Sequence, residues 1–435
     1  MDDAIDFSEI NEGQIKICFD LIKTAPEDPM PWVKLAQIYI KIRNFKMARM
    51  AVYKSFKINP NNLAVLKIKA FYHLKIGQYD KANQIYQLLD IHFHNQLEQI
   101  KIQEGVNSLN FKQLVGFYRM NKFNLSETEF FLGNYLSAFK NYEYRNKIIQ
   151  DNFIELKNIN LLQKISELSC EHLSNPKNQN ILILSEQGYG DQIMILRYLK
   201  TLDEMGFKIT FIVNKALIKL FKCFSQLSNI IIKEKVETID LLENDLISWS
   251  MSLPSLFYKI NNKSQDLLDL PTFKNTKLNN IDKITNKKRK KIGICWRGSP
   301  KNKRDTERSL DPQLFYKIFQ NKNYNFFVFQ KEINDSDKLV INKFPNIVCL
   351  SEVINDFYDS SCILSSMDQV ITVDTSILHL SGTLKKKTIA LLPYVPDPRW
   401  KIEGGKFWYK SVEFISQKKL NDWSYPIKKI LTILK

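Results

Sequence analysis

Histidine, cysteine and glycine are scarce in this chain of 435 residues. Its 6 cysteines are scattered without a C-x-x-C pair, which excludes the common spacing of a zinc site and favours reduced thiols of a cytoplasmic protein. Of its 5 histidines only His379 lies beyond residue 172, so the second half of the chain cannot build a multi-histidine metal site. We therefore expect no metal.

Long apolar runs are missing too, since none approaches the roughly 18 residues that cross a membrane. The sequence begins MDDAIDFSEI, which is acidic and lacks the basic and apolar regions of a signal peptide. We expect a cytoplasmic protein. Its net charge of +17 comes mainly from dispersed lysines and leaves open a peripheral contact with the anionic inner membrane surface. No basic motif interleaved with aromatic residues indicates a nucleic-acid partner.

The common nucleotide-cofactor motifs are incomplete or absent. Gly188-Tyr-Gly190 opens a G-x-G-x-x-G pattern, but Ile193 stands at its third position, and the next strand ends at Asn214 without an acid for a ribose. The chain has no Walker A motif and no H-E-x-x-H motif. We therefore expect no cofactor. Asp335-Ser-Asp337 matches a D-x-D metal–nucleotide pattern, but its polar surroundings favour a solvated turn.

The first third of the chain repeats with helical spacing. Pro26 and Pro60 are 34 residues apart, which is the period of tetratricopeptide repeats. Other positions recur at the spacings of that repeat: Trp32, Leu35, Ala36, Tyr39 and Ala48, then Ala70, Gly77, Ala82 and Tyr86, then Gly133, Ala138 and Tyr142. Residues 1–150 therefore resemble a tetratricopeptide array, with repeats over 11–148. Two roles stay open: binding a partner protein, or only packing against the next domain.

The pattern then changes to alternating strands and helices. Residues 151–178 predict a polar helical linker, and 179–285 and 286–435 each predict a Rossmann-like, doubly wound parallel sheet. The predicted strands begin at Asn180 and Lys291 and include 208–213, 229–234, 245–254, 326–330, 347–351, 369–374, 387–393 and 412–417. The predicted fold class is thus a helical array followed by two α/β domains that enclose a cleft.

One junction in the second α/β domain points to a ligand. Val370–Leu380 predicts a buried strand that ends at Asp374, followed by a helix that begins near Thr375 and Ser376. Ligands of open α/β sheets bind at such strand ends, and a helix N-terminus there offers N–H groups to a phosphate. His379 lies one helical turn further on the same face. A diphosphate site and an ordinary helix cap both stay open.

Several stretches together carry a family resemblance: ILSEQGYGDQIMILRYL (183–199), KIGICWRGSP (291–300), RSL (308–310), QVITVDTSILHLSGTL (369–384), LLPYVPDPRW (391–400), FWY (407–409) and DW (422–423). With them the α/β half resembles the lipopolysaccharide heptosyltransferase-like glycosyltransferases of family 9, which have the GT-B fold. The whole chain resembles bacterial proteins that join tetratricopeptide repeats to such a domain.

The resemblance implies an inverting, metal-independent transfer of a sugar from a nucleoside diphosphate. The first α/β domain would hold the acceptor and the second the donor. Asp191 corresponds to the family's catalytic acid residue, which takes the proton from the acceptor hydroxyl; the alternative is that it caps its helix. The expected ligands of the donor diphosphate are Asp374, Thr375, Ser376, His379 and Arg297.

A further set of residues is expected to contact the donor or the acceptor: Gly188, Gly190, Gln192, Ser299, Lys301, Lys303, Arg308, Tyr394, Asp397 and Arg399. Trp296 and Tyr394 are candidates to flank the nucleotide base, against a role in the core. Ser376 stands where the family favours glycine, so we do not assign heptose as the sugar. The expected acceptor is a surface polysaccharide, a lipid-linked glycan or a protein. The alternative function is a non-enzymatic adaptor with a degenerate GT-B domain.

Overall fold

The computed structural model describes residues 7–145, 162, 164–260, 269–274, 289–302 and 304–435. The chain divides into two compact units, residues 1–145 and 146–435. Part of the predicted linker, and the predicted contact residue Lys303, lie outside the described residues. Within the described ranges, no helix combines the length and the apolar character that crossing a membrane requires.

The described part of the first unit is helical. Its helices are α1 Phe7–Thr24, α2 Met30–Lys41, α3 Phe45–Ile58, α4 Leu63–Lys75, α5 Tyr79–Gln103, α6 Leu109–Leu132 and α7 Tyr135–Tyr142. Asparagine side chains start two of them, because Asn44 Oδ1 accepts from Met47 N–H at 3.2 Å and Asn62 Oδ1 accepts from Ala64 N–H at 2.9 Å.

Small residues allow consecutive helices of this unit to pack closely, α2 on α3, α4 on α5 and α6 on α7. The alanines of the repeat pattern are fully buried: Ala36, Ala48, Ala70, Ala82 and Ala138. Helix α5 continues well past the repeat pattern, because Leu89, Phe93 and Leu97 extend its buried face at a spacing of four residues. The helical N-terminal region is as predicted, and its assignment to tetratricopeptide repeats stays a prediction.

The first α/β domain is built on a parallel sheet in the order β1-β5-β2-β3-β4. Its strands are β1 Ser166–Glu167, β2 Asn180–Leu184, β3 Lys208–Ile212, β4 Ile231–Lys233 and β5 Leu246–Trp249. Its helices are α8 Cys170–Ser174, α9 Tyr189–Met194, α10 Leu196–Glu204, α11 Lys215–Phe221, α12 Thr238–Glu243 and α13 Leu253–Ile260. The central strand β2 is apolar and buried on both faces after its first residue, Asn180, as expected for a sheet between helical layers.

The second α/β domain has a parallel sheet in the order β11-β10-β9-β6-β7-β8. Its strands are β6 Lys290–Cys295, β7 Tyr324–Val328, β8 Ile347–Cys349, β9 Gln369–Val373, β10 Thr388–Leu392 and β11 Val412–Ser416. Its helices are α14 Asp305–Arg308, α15 Tyr316–Phe319, α16 Asp335–Lys343, α17 Phe357–Ser365, α18 Ser376–Thr383 and α19 Ser424–Ile433. Strand β6 lies between β7 and β9, so residues that follow these three strands meet at one edge.

The predicted fold class is confirmed, since a helical region is followed by two Rossmann-like domains in the order of a GT-B protein. Two predicted boundaries differ from the structure by more than two residues. Strand β1 lies inside the predicted helical linker and pairs with β5, but its two residues are too short for an alternating pattern to reveal. The predicted strand 245–254 ends at Trp249, because Pro254 has no N–H for a sheet and suits the first turn of α13.

Candidate active site

A cavity of about 640 Å³ lies between the carboxyl ends of the two sheets. The first α/β domain contributes residues 188–191, which follow β2, and Ala216, which follows β3. The second contributes residues that follow β6, β7, β9 and β10, among them 297–299, 329–332, 374–377, Asp397 and Arg399. The cavity is therefore at the strand ends where the sequence predicts a ligand, and it is large enough for one small molecule.

Asp191 lies on the wall formed by the first α/β domain, in the first turn of α9. Its Oδ2 accepts a hydrogen bond from Gly188 N–H at 2.9 Å, which is a helix-capping contact. Its Oδ1 forms an ion pair with Arg399 Nη1 of the second α/β domain. Asp191 therefore caps its helix with one oxygen, as one predicted alternative expects, and pairs with Arg399 at the cavity through the other. Its role as the catalytic base stays a prediction.

Arg399 is fixed to Asp397 as well as to Asp191. Asp397 Oδ1 accepts from the backbone N–H of Arg399 at 3.0 Å and from its Nε–H at 2.9 Å. Burial opposes the charged form of Asp397, but Arg399 and Arg304 outweigh burial and lower the pKa of this carboxyl below its ordinary value. Asp397 therefore stays ionised and anchors the Arg399 guanidinium at the edge of the cavity.

Asp374, Thr375 and Ser376 lie together where β9 passes into α18, as the sequence predicts, and all line the cavity. Thr375 Oγ1 does not cap the helix; it lies 3.2 Å from Thr372 Oγ1 and 3.8 Å from Cys295 Sγ. The amides of Leu378 and His379 return to the Thr375 carbonyl. The N–H groups of Ser376 and Ile377 have no backbone acceptor among the described residues, which leaves the start of α18 open to an anion.

Asp374 is the less acidic of two neighbouring carboxyls. Burial raises the pKa of Asp374 above its ordinary value, and the negative charge of Asp397 raises it further. Its backbone carbonyl accepts a hydrogen bond from Arg308 Nη1. The pKa values of Asp374 and Asp397 are therefore shifted in opposite directions, although both residues line one cavity.

His379 is buried where α9 and α18 meet. Its Nδ1 lies 3.1 Å from the Tyr409 hydroxyl, and its ring packs on Trp400 with centroids 5.2 Å apart. Burial lowers the pKa of the His379 imidazole well below its ordinary value, and Arg399 lowers it further. His379 lines the cavity with a ring that is neutral at about pH 7, and its predicted role as a diphosphate ligand stays a prediction.

Arg297 lines the cavity but is tied to a buried acid. It forms an ion pair with Asp337, which also accepts from the Trp296 indole N–H and from the Asn334 backbone N–H, each at 3.0 Å. The prediction of a solvated Asp335–Asp337 turn is therefore wrong for Asp337, whose side chain is fully buried, although Asp335 is exposed. Trp296 is fully buried in the core, as the alternative to a base-stacking role expects.

Arg308 is held directly under the start of α18. Its Nε donates to Asp305 Oδ1 at 3.3 Å, and its Nη1 bonds the carbonyl of Asp374. Gly298 packs against the Arg308 guanidinium so closely that a side chain there would collide with it. The tight fit positions one arginine beside the open amides of α18.

The remaining predicted contacts are divided between the cavity and other places. Gly188, Gly190, Ser299 and Lys301 line the cavity. Gln192 is buried, and its Oε1 accepts from Asn214 N–H at 3.0 Å, so it joins α9 to the end of β3. Tyr394 is partly exposed, its N–H bonds Gln417, and it lies outside the cavity lining.

Sequence reasoning missed Arg197, a fully buried arginine of α10. Its Nη1 and Nη2 donate to the backbone carbonyls of Phe407 and Trp408 in the second α/β domain, and its guanidinium lies 5.1 Å from the centre of the Tyr409 ring. An arginine inside the apolar run of α10 was the available signal. Arg197 therefore connects the two α/β domains behind His379.

Two further contacts join the α/β domains beside the cavity. The Tyr189 and Phe357 rings meet with centroids 4.9 Å apart, and both residues line the cavity. Lys219 Nζ pairs with Asp356 Oδ2 at 3.0 Å. Neither pair has a spacing in the sequence that would predict it, because the partners come from different sheets.

No group of three or more histidine, cysteine or acidic side chains suited to a metal ion occurs among the described residues. The charged groups that line the cavity are arginines, lysines and carboxylates. Independence from metal stays a prediction.

No profile of a known protein family matches the chain, and no curated protein matches it. E. coli heptosyltransferase WaaC with ADP is 11% identical, with a TM-score of 0.41 over 59% of this chain and 100% of that chain. E. coli ADP-heptose lps heptosyltransferase II is also 11% identical, with a TM-score of 0.42 over 59% of this chain and 98% of that chain. A mutant Thermobaculum terrenum O-GlcNAc transferase is 8% identical, with a TM-score of 0.29 over 97% of this chain and 86% of that chain. These similarities assign no role to individual residues of this chain.

Proposed function

We propose that the chain is an inverting, metal-independent glycosyltransferase that uses a nucleoside-diphosphate sugar. The observation that supports this most is the cavity itself. It places the Asp191 carboxylate of one α/β domain opposite the open start of α18 and the arginines of the other. A base facing an anion site is the arrangement that sugar transfer from a diphosphate requires.

The donor diphosphate binds at the start of α18 in this proposal. The Ser376 and Ile377 amides and the helix dipole favour a phosphate there. Arg308 lies beneath the same turn, and Arg399 lies at the edge of the cavity. These groups stabilise the charge that develops on the leaving diphosphate, since arginine binds phosphate oxygens through two parallel hydrogen bonds.

The acceptor hydroxyl approaches from the first α/β domain. Its oxygen forms a bond to the anomeric carbon as the bond from that carbon to the diphosphate oxygen breaks. The proton passes to Asp191 Oδ1, and the electron pair leaves with the diphosphate. Asp191 Oδ2 keeps its bond to Gly188 N–H, so the base stays in place during the step.

The acceptor class we propose is a surface polysaccharide, a lipid-linked glycan or a protein. The helical N-terminal region is a candidate to bind a partner or a protein acceptor, as repeat arrays do. A net charge of +17 supports peripheral attraction to an anionic membrane surface. Cytoplasmic location belongs to the same proposal.

A panel of ADP-, UDP-, GDP- and dTDP-sugars tests the proposal. At least one should raise the melting temperature of the wild type and release its nucleoside diphosphate slowly by transfer to water. Asp191→Asn keeps an oxygen that can accept from Gly188 N–H but removes the base, so turnover should fall about 10²–10⁴-fold while donor binding remains.

Asp203→Asn is the matched control, because Asp203 is an aspartate of the same domain that lies outside the cavity lining. It should leave turnover unchanged. If no nucleotide sugar binds the wild type, the non-enzymatic adaptor becomes the better explanation. If Asp191→Asn retains full turnover, Asp191 is not the base.

A further inference from the structure

The carboxylate assigned as the base is already occupied in this structure. One oxygen of Asp191 is held by the Gly188 amide, and the other is covered by the guanidinium of Arg399. Both side chains are largely buried, with 14% of Asp191 and 18% of Arg399 exposed, so water does little to weaken the pair. Arg399 takes up an acceptor position of Asp191 Oδ1 and therefore competes with an acceptor hydroxyl for that oxygen.

Arg399 has the geometry of a side chain that can exchange partners. Its Nε is anchored to Asp397, which keeps its charge because Arg399 and Arg304 lie beside it. Its Nη1 is the atom that reaches across the cavity to Asp191. A small rotation about the anchored Nε would move the terminal nitrogens without breaking the bond to Asp397.

The proposed anion site lines the same cavity as Arg399. Arg399, Ser376 and Ile377 line the same cavity, together with Arg308. A diphosphate carries more negative charge than a single carboxylate, and it offers several oxygens to a planar guanidinium. A bound diphosphate therefore competes with Asp191 for Arg399.

We infer that Arg399 couples donor binding to release of the base. In the empty site Arg399 pairs with Asp191 across the cavity; when a nucleoside diphosphate binds, Arg399 turns to the diphosphate and leaves Asp191 Oδ1 to the acceptor hydroxyl. This inference rests on the proposed function and adds an order of events, with the donor bound before the base becomes available. Arg399 then contacts the leaving group, while the Gly188 amide keeps Asp191 in place.

A double-mutant cycle on nucleoside-diphosphate affinity tests the coupling. Dissociation constants of ADP, UDP and GDP are measured by calorimetry for wild type, Asp191→Asn, Arg399→Gln and the double variant. Asp191→Asn removes the competitor for Arg399, so the best of these ligands should bind about fivefold more tightly. Arg399→Gln should weaken it about 10- to 100-fold.

The decisive comparison is between Arg399→Gln and the double variant. Without Arg399, the gain in nucleoside-diphosphate affinity from Asp191→Asn should disappear. A tightening of equal size in both backgrounds would come from general charge repulsion and would overturn the inference. So would an Asp191→Asn variant that binds no more tightly than the wild type. Asp203→Asn removes the same charge outside the cavity and should leave the dissociation constant unchanged.

Arg399→Lys covers the case in which Arg399→Gln binds too weakly to measure. A lysine ammonium cannot hold Asp397 and Asp191 in the arginine's fork geometry, so the gain from Asp191→Asn must shrink in that background. If Asp191→Asn tightens binding as much in the Arg399→Lys background as in the wild type, the coupling is overturned. If the wild type binds none of the nucleoside diphosphates, the proposed function falls and this inference falls with it; binding without coupling removes the inference alone.

Discussion

Replacing Gly190 by alanine tests the direct contact between α9 and α18 on which the site depends. A Cβ at Gly190 would lie 2.5 Å from Cδ2 of His379 and 3.2 Å from its Nε2. The buried imidazole has little room to move, because its Nδ1 faces the Tyr409 hydroxyl and its ring packs on Trp400. The two helices must separate by about 1 Å to restore an ordinary carbon–carbon distance of about 3.5 Å.

Overpacking of this kind costs about 1–3 kcal/mol. In a unit of this size each kcal/mol lowers the melting temperature by about 2–4 °C, so we expect a loss of roughly 2–12 °C. Thermal unfolding followed by tryptophan fluorescence and circular dichroism measures it. Gly188→Ala is the matched control, since its Cβ would meet its nearest atom at 3.4 Å and its φ is −84°.

Removal of the imidazole shows whether the collision is the cause. In a His379→Ala background the added methyl group of Gly190→Ala has room, and most of the loss should vanish. The reasoning is refuted if Gly190→Ala has the same melting temperature as the wild type. It is also refuted if Gly190→Ala lowers the melting temperature equally with and without the His379 ring. Gly188→Ala should change the melting temperature little in either background.

Four other predictions concern stability and are checked by urea or thermal midpoints. Arg197→Met leaves two buried carbonyls without donors and should cost about 2 kcal/mol. Against burial, Arg399 and Arg304 lower the pKa of Asp397. Its stabilisation is therefore present above the unfolded pKa of about 4 and is lost as the pH falls through the lowered folded pKa. Asp397→Asn should be less stable than wild type at about pH 7, and the difference should shrink as the pH falls below about 4. Burial and Asp397 raise the pKa of Asp374, so its ionised form destabilises the fold at neutral pH. Asp374→Asn should therefore be more stable than wild type at about pH 7, and the difference in stability should vanish below about pH 4. Gly116→Ala should stabilise by about 0.5–1 kcal/mol, since Gly116 is exposed inside α6 and its Cβ would meet nothing within 4 Å.

Much of the fold follows from local patterns that the sequence contains. The apolar runs that became β2, β6 and β9 predict buried parallel strands, and polar residues directly after them predict where a ligand binds. The Asp374–Ser376 junction was predicted for this reason, and it does line the cavity. Alanines spaced for helix crossings in the first unit were buried as expected.

Other features depend on partners far apart in the chain. Asp337 belongs to a polar stretch that reads as a turn, yet it is buried because Arg297 and Trp296 reach it from another strand end. Gln192 is adjacent to Asp191 in the chain, but the helix turns it inward to bond the Asn214 amide. A polar residue therefore does not reveal from sequence alone whether it faces a ligand or completes the core.

The sequence by itself determined the order of the elements, the strand ends that form the cavity and the presence of Asp191 beside a glycine loop, because these depend on neighbours within a few residues. Only the tertiary structure decided that Asp191 pairs with Arg399, that His379 is neutral and that Arg197 connects two domains. Each of these states depends on burial and on charges supplied by distant segments. Burial and charge are properties of the folded arrangement, so no local pattern encodes them.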